Sequence, residues 1–166
     1  MRRRPFLIAL WTASLLWFVA MAAFVELRLA PQGATPLPDT SLTGHTTDSL
    51  TAWAAGMTDR GRALFFGPYR LMDTVFPVLL ALTLAITGGR RHWWLGVLAC
   101  TYALLDLAEN ASIAAMLRAA PAVPGAEQVA RASALTIAKW IAVLLATGLG
   151  FRLFLTEVRD KTCSSP

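Results

Sequence analysis

Four long apolar stretches constrain the fold of this chain more than any other feature of its sequence. Each is close to or longer than the roughly 20 residues that a helix needs to cross the hydrocarbon core of a bilayer. Together they occupy more than half of the 166 residues. The sequence therefore predicts an all-α integral membrane protein, a four-transmembrane-helix bundle, with spanning helices over residues 5–29, 68–87, 93–117 and 129–155.

The overall composition agrees with a membrane protein. Of the residues, 56% are hydrophobic and 15% are charged, whereas a soluble domain carries about 25% charged residues. The segments between the apolar stretches are too short for a separate soluble domain, so we expect one membrane domain over residues 1–166. We expect the lipid bilayer as a partner. Whether the chain also binds another membrane protein or a second copy of itself stays open.

The net charge of +5 raises the question of nucleic acid as a partner. The arginines, however, lie at the ends of the apolar stretches and not along one face, so we expect no nucleic-acid binding. The start of the chain, Arg2, Arg3 and Arg4 before an apolar run, also fits a secretory signal peptide. Because that run continues to Val25, its length favours a retained membrane anchor.

Two segments between the predicted spans differ in character. Residues 30–47 are rich in Pro, Gly, Thr and Ser, which indicates a loop. In residues 48–66, apolar side chains recur at helical spacing opposite charged ones, which predicts one amphipathic helix. Such a helix beside a membrane usually lies in the interface. We expect it to pack on the bundle, which is favoured over a lid covering a site.

The distribution of lysine and arginine predicts the orientation in the membrane. The three-arginine start, the tight turn at Arg90 and Arg91, and the tail over residues 156–166 together carry more basic residues than the opposite side. Since basic loops stay inside, we expect a multi-pass protein of the cell membrane with both termini cytoplasmic. The loop and the amphipathic helix are then extracytoplasmic.

Ionisable side chains inside the predicted spans are the strongest functional signal. Each costs roughly 2.5 to 3.5 kcal/mol at the centre of a membrane helix, so each requires an explanation. Helical spacing places four polar side chains on one face of the third span, and depth estimates bring them close to side chains of two neighbouring spans. The predicted binding residues are Asp73, Tyr102, Asp106, Glu109, Asn110, Lys139 and Arg70, with Asp106, Glu109 and Lys139 as candidate catalytic residues.

The charges of this predicted cluster do not balance. Asp73, Asp106 and Glu109 face one ammonium group, that of Lys139, and an apolar site cannot hold the surplus negative charge uncompensated. Protons, the nearby Arg70, a bound cation or a cationic head group could compensate it. Of these, protonation has the lowest cost in free energy. Pro77 adds to the polarity, because its missing N–H leaves the carbonyl of Asp73 without its helical donor.

Two functions from different classes fit this pattern. The first is a small transporter or membrane-embedded enzyme whose outward-facing acidic site handles protons, cations or a lipid or cationic head group. The second is an accessory subunit of a larger membrane complex, in which the same residues only hold the helices together. A working site predicts a cavity around Asp106 and Glu109, whereas a structural role predicts bonded carboxylates with no space beside them.

Other chemistries have little support in the sequence, and whether the protein is an enzyme stays open. By the predicted topology His45 and His92 lie on opposite sides of the membrane, which excludes a site that needs both. There is no glycine-rich phosphate loop and no Cys-x-x-Cys motif. We therefore expect no metal and no cofactor. A carboxylate-only site for Mg²⁺ or Ca²⁺ at Asp73, Asp106 and Glu109 stays open, although the nearby Lys139 disfavours it.

The fourth predicted span carries small residues at intervals of four, which allow another helix to approach closely. These are Ala138, Ala142, Ala146 and Gly150. The expected partner surface is the face of the third span with Ala108, Ser112 and Ala115.

Overall fold

The computed structural model describes residues 3–120 and 122–160, and within them the secondary structure is entirely helical. The α-helices are α1 (Arg3–Phe24), α2 (Thr47–Gly56), α3 (Asp59–Leu64), α4 (Arg70–Gly88), α5 (Trp93–Ala119) and α6 (Ala126–Asp160). Two π-helical turns, Val25–Leu29 and Phe65–Tyr69, follow α1 and precede α4. The predicted all-α class is confirmed. The predictions for Arg2 and for the tail beyond residue 160 lie outside the described residues.

Four continuous helical segments are long and apolar enough to cross a membrane. They are Arg3–Gln32, Asp59–Gly88, Trp93–Ala119 and Ala126–Arg159. By length and composition, these segments mark the chain as a multi-pass membrane protein, as predicted. Each extends further than the sequence indicated. The clearest case is the last helix, which begins at Ala126 and is still helical at Asp160.

The prediction of one amphipathic helix over residues 48–66 is wrong. The chain leaves the helix after Gly56, and Met57 is extended with φ −82° and ψ 126°. Thr58 then starts a new helix, because its hydroxyl accepts a hydrogen bond from the Gly61 N–H at 3.0 Å. A threonine in this position satisfies one of the unpaired N–H groups of the first turn. The predicted segment is therefore two short helices, separated by the extended backbone of Met57.

The predicted start of the second span at residue 68 is also wrong, because α3 continues into α4 through the π-helical turn Phe65–Tyr69. Pro68 has no N–H to donate to the carbonyl of Leu64, so the ordinary α-helical bond cannot form there. A π-turn shifts the pairing by one residue, and the Arg70 N–H bonds the carbonyl of Phe65. The helix ends as predicted at Gly88, followed by Gly89 with φ 55°, a backbone conformation that favours glycine.

The two ends of the bundle are distinct, and we call them the turn end and the loop end. The turn end holds the connection between α4 and α5, where Arg3 of α1 donates to the carbonyl of Thr87 at 3.1 Å. The loop end holds residues 30–58 and the connection between α5 and α6. An apolar cluster there joins α2 to the bundle, since Leu50 and Met57 are buried with Ile113 and Val129. This is the packing expected for the amphipathic segment.

The small residues of α6 pack inward, but against a different part of α5 from the one expected. Ala142 and Ala146 are buried in an apolar cluster with Ala99 and Ala103 of α5. Ala115, part of the expected partner surface, is exposed. The reason is that α5 and α6 run in opposite directions, so the turn-end half of α6 meets the turn-end half of α5.

Helix α1 lies mainly on α4. The hydroxyls of Ser14 and Thr83 are 2.9 Å apart, and the Trp17 indole N–H donates to the Met72 carbonyl at 3.0 Å. Near the turn end, Trp11 also contacts two aromatic rings of α6, Phe151 edge-on and Phe154 at a tilt. Toward the loop end, α1 and α6 face each other across a cavity instead of packing ring on ring, and this gap positions the site.

Candidate functional site

The polar cluster predicted from the sequence forms around Lys139. Its Nζ lies 3.2 Å from Oδ1 of Asp106 and 2.5 Å from Oε2 of Glu109. The side chain of Lys139 is 6% exposed and that of Glu109 is fully buried. One ammonium from α6 therefore joins two carboxylates that stand one turn apart on α5, as their spacing predicts.

Each carboxylate of the cluster has a second polar partner. The side-chain amide of Asn110 donates to Oδ2 of Asp106 at 3.0 Å. The hydroxyl of Thr136, on α6, donates to Oε1 of Glu109. All four carboxylate oxygens thus have an ion-pair or hydrogen-bond partner, which is what a buried charge requires.

A loop residue extends this network toward the loop end. Nε2 of His45 lies 3.1 Å from Oγ1 of Thr136. The His45 backbone is held on both sides by Ser133, whose hydroxyl accepts from the His45 N–H at 2.7 Å and donates to its carbonyl at 3.0 Å. The loop is therefore held on α6 at Ser133, one turn before Thr136, whose hydroxyl contacts Glu109.

The hydroxyl of Thr136 sets the direction of these hydrogen bonds. It carries a single proton, and when that proton is donated to Glu109 the contact with His45 is favourable only if Nε2 of His45 donates. The neutral tautomer with a proton on Nε2 and the imidazolium both meet this condition. The same hydroxyl also lies 3.0 Å from the carbonyl of Ala132, a second acceptor. The chain of contacts then runs from the imidazole through the hydroxyl to the carboxylate and on to the ammonium of Lys139.

A cavity of about 420 Å³ lies beside the cluster, between α1, α4, α5 and α6. Asp73, Asp106 and Lys139 line it, whereas Glu109 does not. The loop contributes Leu37 and Thr40 at one end. Most of the remaining lining is apolar or aromatic: Phe18, Met21, Ala22, Val25, Tyr69, Phe76, Leu80, Tyr102, Trp140 and Val143.

The carboxylate of Asp73 is held at the wall of this cavity by its neighbours on α4. Nη1 of Arg70 lies 3.8 Å from its Oδ2, one helical turn away. The side chain of Arg70 is 24% exposed and that of Asp73 is 8% exposed. Arg70 therefore compensates part of the surplus negative charge. α4 also continues through the buried Pro77 just beyond this point.

Carboxyl groups still outnumber cationic groups around the cavity after these pairs are counted. Three of its lining residues carry carboxylates, Glu26, Asp73 and Asp106, but Lys139 is the only lysine or arginine among the lining residues. Glu26 belongs to the π-helical turn after α1, and Tyr69 to the one before α4. Single π-turns occur frequently at functional sites, because they turn side chains away from the ordinary helical register.

Several residues of the site are absent from the predicted set. Tyr69 had a usable signal, since Tyr69, Asp73, Phe76 and Leu80 follow helical spacing along one face. Thr136, Trp140 and Val143 had the same signal, because they follow helical spacing along the face of α6 that carries Lys139. His45 and Glu26 had none, because their positions depend on the path of a loop and on a π-turn.

The two outcomes that distinguish a working site from a structural one both occur, in different parts of the cluster. Glu109 is bonded on both oxygens and has no cavity beside it, as expected for a structural role. Asp73 and Asp106 line an open cavity, as expected for a working site. Lys139 belongs to both parts.

Within residues 3–120 and 122–160, no group of three or more His, Cys, Asp or Glu side chains is arranged to hold a metal ion. No protein-family model matches the chain, and neither a curated protein nor a solved structure is significantly similar to it.

Proposed function

We propose that this protein binds a small amphiphile with a cationic head group in the cavity between α1, α4, α5 and α6, and moves it between the bilayer and the outer surface. The carboxylates of Asp73 and Asp106 bind the head group, and the apolar walls hold its hydrocarbon part. The observation that carries this proposal is the cavity itself, in which three carboxyl groups and one ammonium lie against mainly apolar walls.

The size and lining of the cavity support an organic ligand over a bare ion. Ligand sites in proteins typically measure roughly 300 to 1,000 Å³ and are mostly apolar, with a few polar groups that fix orientation. An inorganic cation would need several oxygen ligands arranged around it, and no group of three or more His, Cys, Asp or Glu in the described residues has that arrangement. Tyr69 and Tyr102 also line the cavity, and aromatic rings attract cations. The ring of Trp140 already lies beneath the ammonium of Lys139.

The shape of the bundle supports entry from the membrane. The cavity lies where α1 and α6 diverge, and Phe18 on its rim is 49% exposed. In a bilayer this gap faces lipid, so an amphiphile could enter sideways. With both termini cytoplasmic, the loop end and the site face outward, and residues Leu37 and Thr40 separate the cavity from the outer aqueous phase.

The test is equilibrium binding of octyltrimethylammonium to the purified protein in phosphatidylcholine nanodiscs, with octanol as the neutral comparison. We expect the cation to bind more tightly than octanol, and Asp73→Asn to weaken cation binding about tenfold, because it removes one carboxylate from the cavity. Glu127→Gln is the control, since Glu127 is exposed on α6 and distant from the cavity. Equal binding of cation and octanol would overturn the proposal.

A second pair of variants tests the cavity without changing any charge. Val143→Phe fills part of the cavity, whereas Leu144→Phe places the same phenyl ring on the outer face of α6, where Leu144 is 64% exposed. We expect Val143→Phe to abolish cation binding and Leu144→Phe to leave it intact. The opposite pattern would place the binding site elsewhere.

The alternative role, an accessory subunit without a ligand, is favoured by one observation, the fully buried and fully bonded Glu109. The two roles are compatible within one cluster, because Glu109 does not line the cavity. If octyltrimethylammonium binds no more tightly than octanol and the protein co-purifies with a membrane complex, the accessory role replaces the proposed one.

A further inference from the structure

A second cavity, of about 290 Å³, lies at the loop end of α1 and has the opposite charge from the first. It is lined by Phe24, Leu27, Arg28, Gln32, Arg60 and Leu64. Two of these residues are arginines and none is acidic. The cavity is formed between the end of the first span and α3, and it shares no lining residue with the acidic cavity.

The backbone that carries these side chains is tightly connected. The Thr58 N–H donates to the carbonyl of Gln32 at 3.1 Å, and the Thr58 hydroxyl donates to Oε1 of the same glutamine at 2.9 Å. Gly61 approaches so closely that a Cβ there would lie 3.0 Å from Cβ of Gln32. The end of α1 and the start of α3 are therefore fixed relative to each other, and with them Arg28 and Arg60.

The two guanidinium groups remain available to a ligand. Within the part of the chain that the structure describes, neither Arg28 nor Arg60 forms an ion pair with a carboxylate. Arg62, on the same short helix, is different, because it donates to the backbone carbonyls of Ala54 and Leu117. The side-chain amide nitrogen of Gln32 adds a third donor, since only its oxygen is bound by Thr58.

We propose that Arg28, Arg60 and the amide of Gln32 bind the phosphate of an anionic phospholipid. Guanidinium groups match phosphate oxygens in geometry and charge. The apolar members of the same cavity, Phe24, Leu27 and Leu64, lie where the acyl chains of a bound lipid would pass, and Leu27 is 74% exposed. Basic pockets between membrane helices are known to bind lipid head groups in this way.

The position of the site fits a lipid better than a free phosphate. Arg28 lies near the end of the segment Arg3–Gln32, which is long enough to cross a bilayer, so its guanidinium is at the depth of the head groups. A soluble phosphate would gain nothing from the apolar half of the cavity, whereas a phospholipid uses both halves. The shared chemistry is a phosphate group, and the experiment must separate its two sources.

The test is lipid retention measured by native mass spectrometry, with the protein reconstituted in equal mixtures of phosphatidylglycerol and phosphatidylcholine. We expect selective retention of phosphatidylglycerol, and a drop of about tenfold in that selectivity for the double variant Arg28→Gln with Arg60→Gln. Arg131→Gln is the matched control, because Arg131 is an exposed arginine at the loop end of α6. It should leave the selectivity unchanged.

Three outcomes would overturn the proposal. They are equal retention of the two lipids by the unchanged protein, an equal loss of selectivity in Arg131→Gln, and displacement of the lipid by inorganic phosphate alone. The last result would identify a site for soluble phosphate. The double variant is checked by circular dichroism, and if it is unfolded, Arg28→Lys and Arg60→Lys take its place. These variants keep the charge but lose the bidentate geometry, so we expect them to weaken selectivity less.

Discussion

At the scale of single residues, Lys139 and Glu109 form the shortest ion pair of the polar cluster, and both side chains are buried. Asp106, the second partner, lines the cavity and is also bonded by Asn110. The two carboxylates therefore depend on Lys139 to different degrees. The loss of Lys139 leaves Glu109 with no compensating charge in an apolar surrounding, whereas Asp106 keeps access to the contents of the cavity.

We expect Lys139→Met to lower the free energy of unfolding by about 3 to 5 kcal/mol, because breaking a buried pair from one side leaves an uncompensated charge. The double variant Lys139→Met with Glu109→Gln should recover much of that loss. Thermal and denaturant unfolding in detergent measure both. Lys139→Met with Glu127→Gln is the control, and its two effects should simply add. Additive losses in the Lys139 and Glu109 pair would show that the two side chains are not coupled.

At the scale of helices, the regular parts of the fold were predictable and the irregular parts were not. Hydropathy and length predict all four long helices, and Gly88 with Gly89 predicts where α4 ends, because these signals act locally. Pro68 and Thr58 mark the irregular positions in the sequence, but they do not show that the chain is extended at Met57 and then continues through Phe65–Tyr69 as a π-turn. The spacing of Asp106, Glu109 and Asn110 shows that they share a face, but only the folded chain shows which of them line a cavity.

The small-residue face of α6 gives a prediction at this scale. A Cβ added at Gly150 would lie 2.3 Å from Cδ2 of Leu84, a side chain that is fully buried. A Cβ added at Gly148 meets nothing within 4 Å. Both substitutions to alanine gain the same helix propensity, so their difference reports the packing of α4 on α6.

We therefore expect Gly150→Ala to be less stable than Gly148→Ala by about 1 to 3 kcal/mol, the usual effect of overpacking a core. The measurement is the denaturant midpoint of each variant in the same detergent. Equal midpoints would mean that α4 and α6 do not approach as closely as the structure places them.

At the scale of the whole molecule, the packing of the bundle determines which segments lie at the same end. Arg3 contacts the carbonyl of Thr87, so the start of the chain and the turn at Arg90 and Arg91 lie at the same end. The long loop lies at the other end. A bilayer around the four apolar helices must then place these two ends on opposite sides, and only the direction is left to the distribution of basic residues.

Cysteine labelling in right-side-out membranes tests both statements, in a background where Cys100 and Cys163 are replaced by serine. Leu42→Cys reports the loop, where Leu42 is 64% exposed, and Arg91→Cys reports the turn. Because the basic turn and the three-arginine start favour the cytoplasm, we expect an impermeant maleimide added outside to label Leu42→Cys only. Labelling of Arg91→Cys alone would show that the protein has the inverted orientation. The acidic cavity and the Arg28 site would then face inward. Labelling of both from one side would contradict the bundle itself, since its four helices place the loop and the turn at opposite ends.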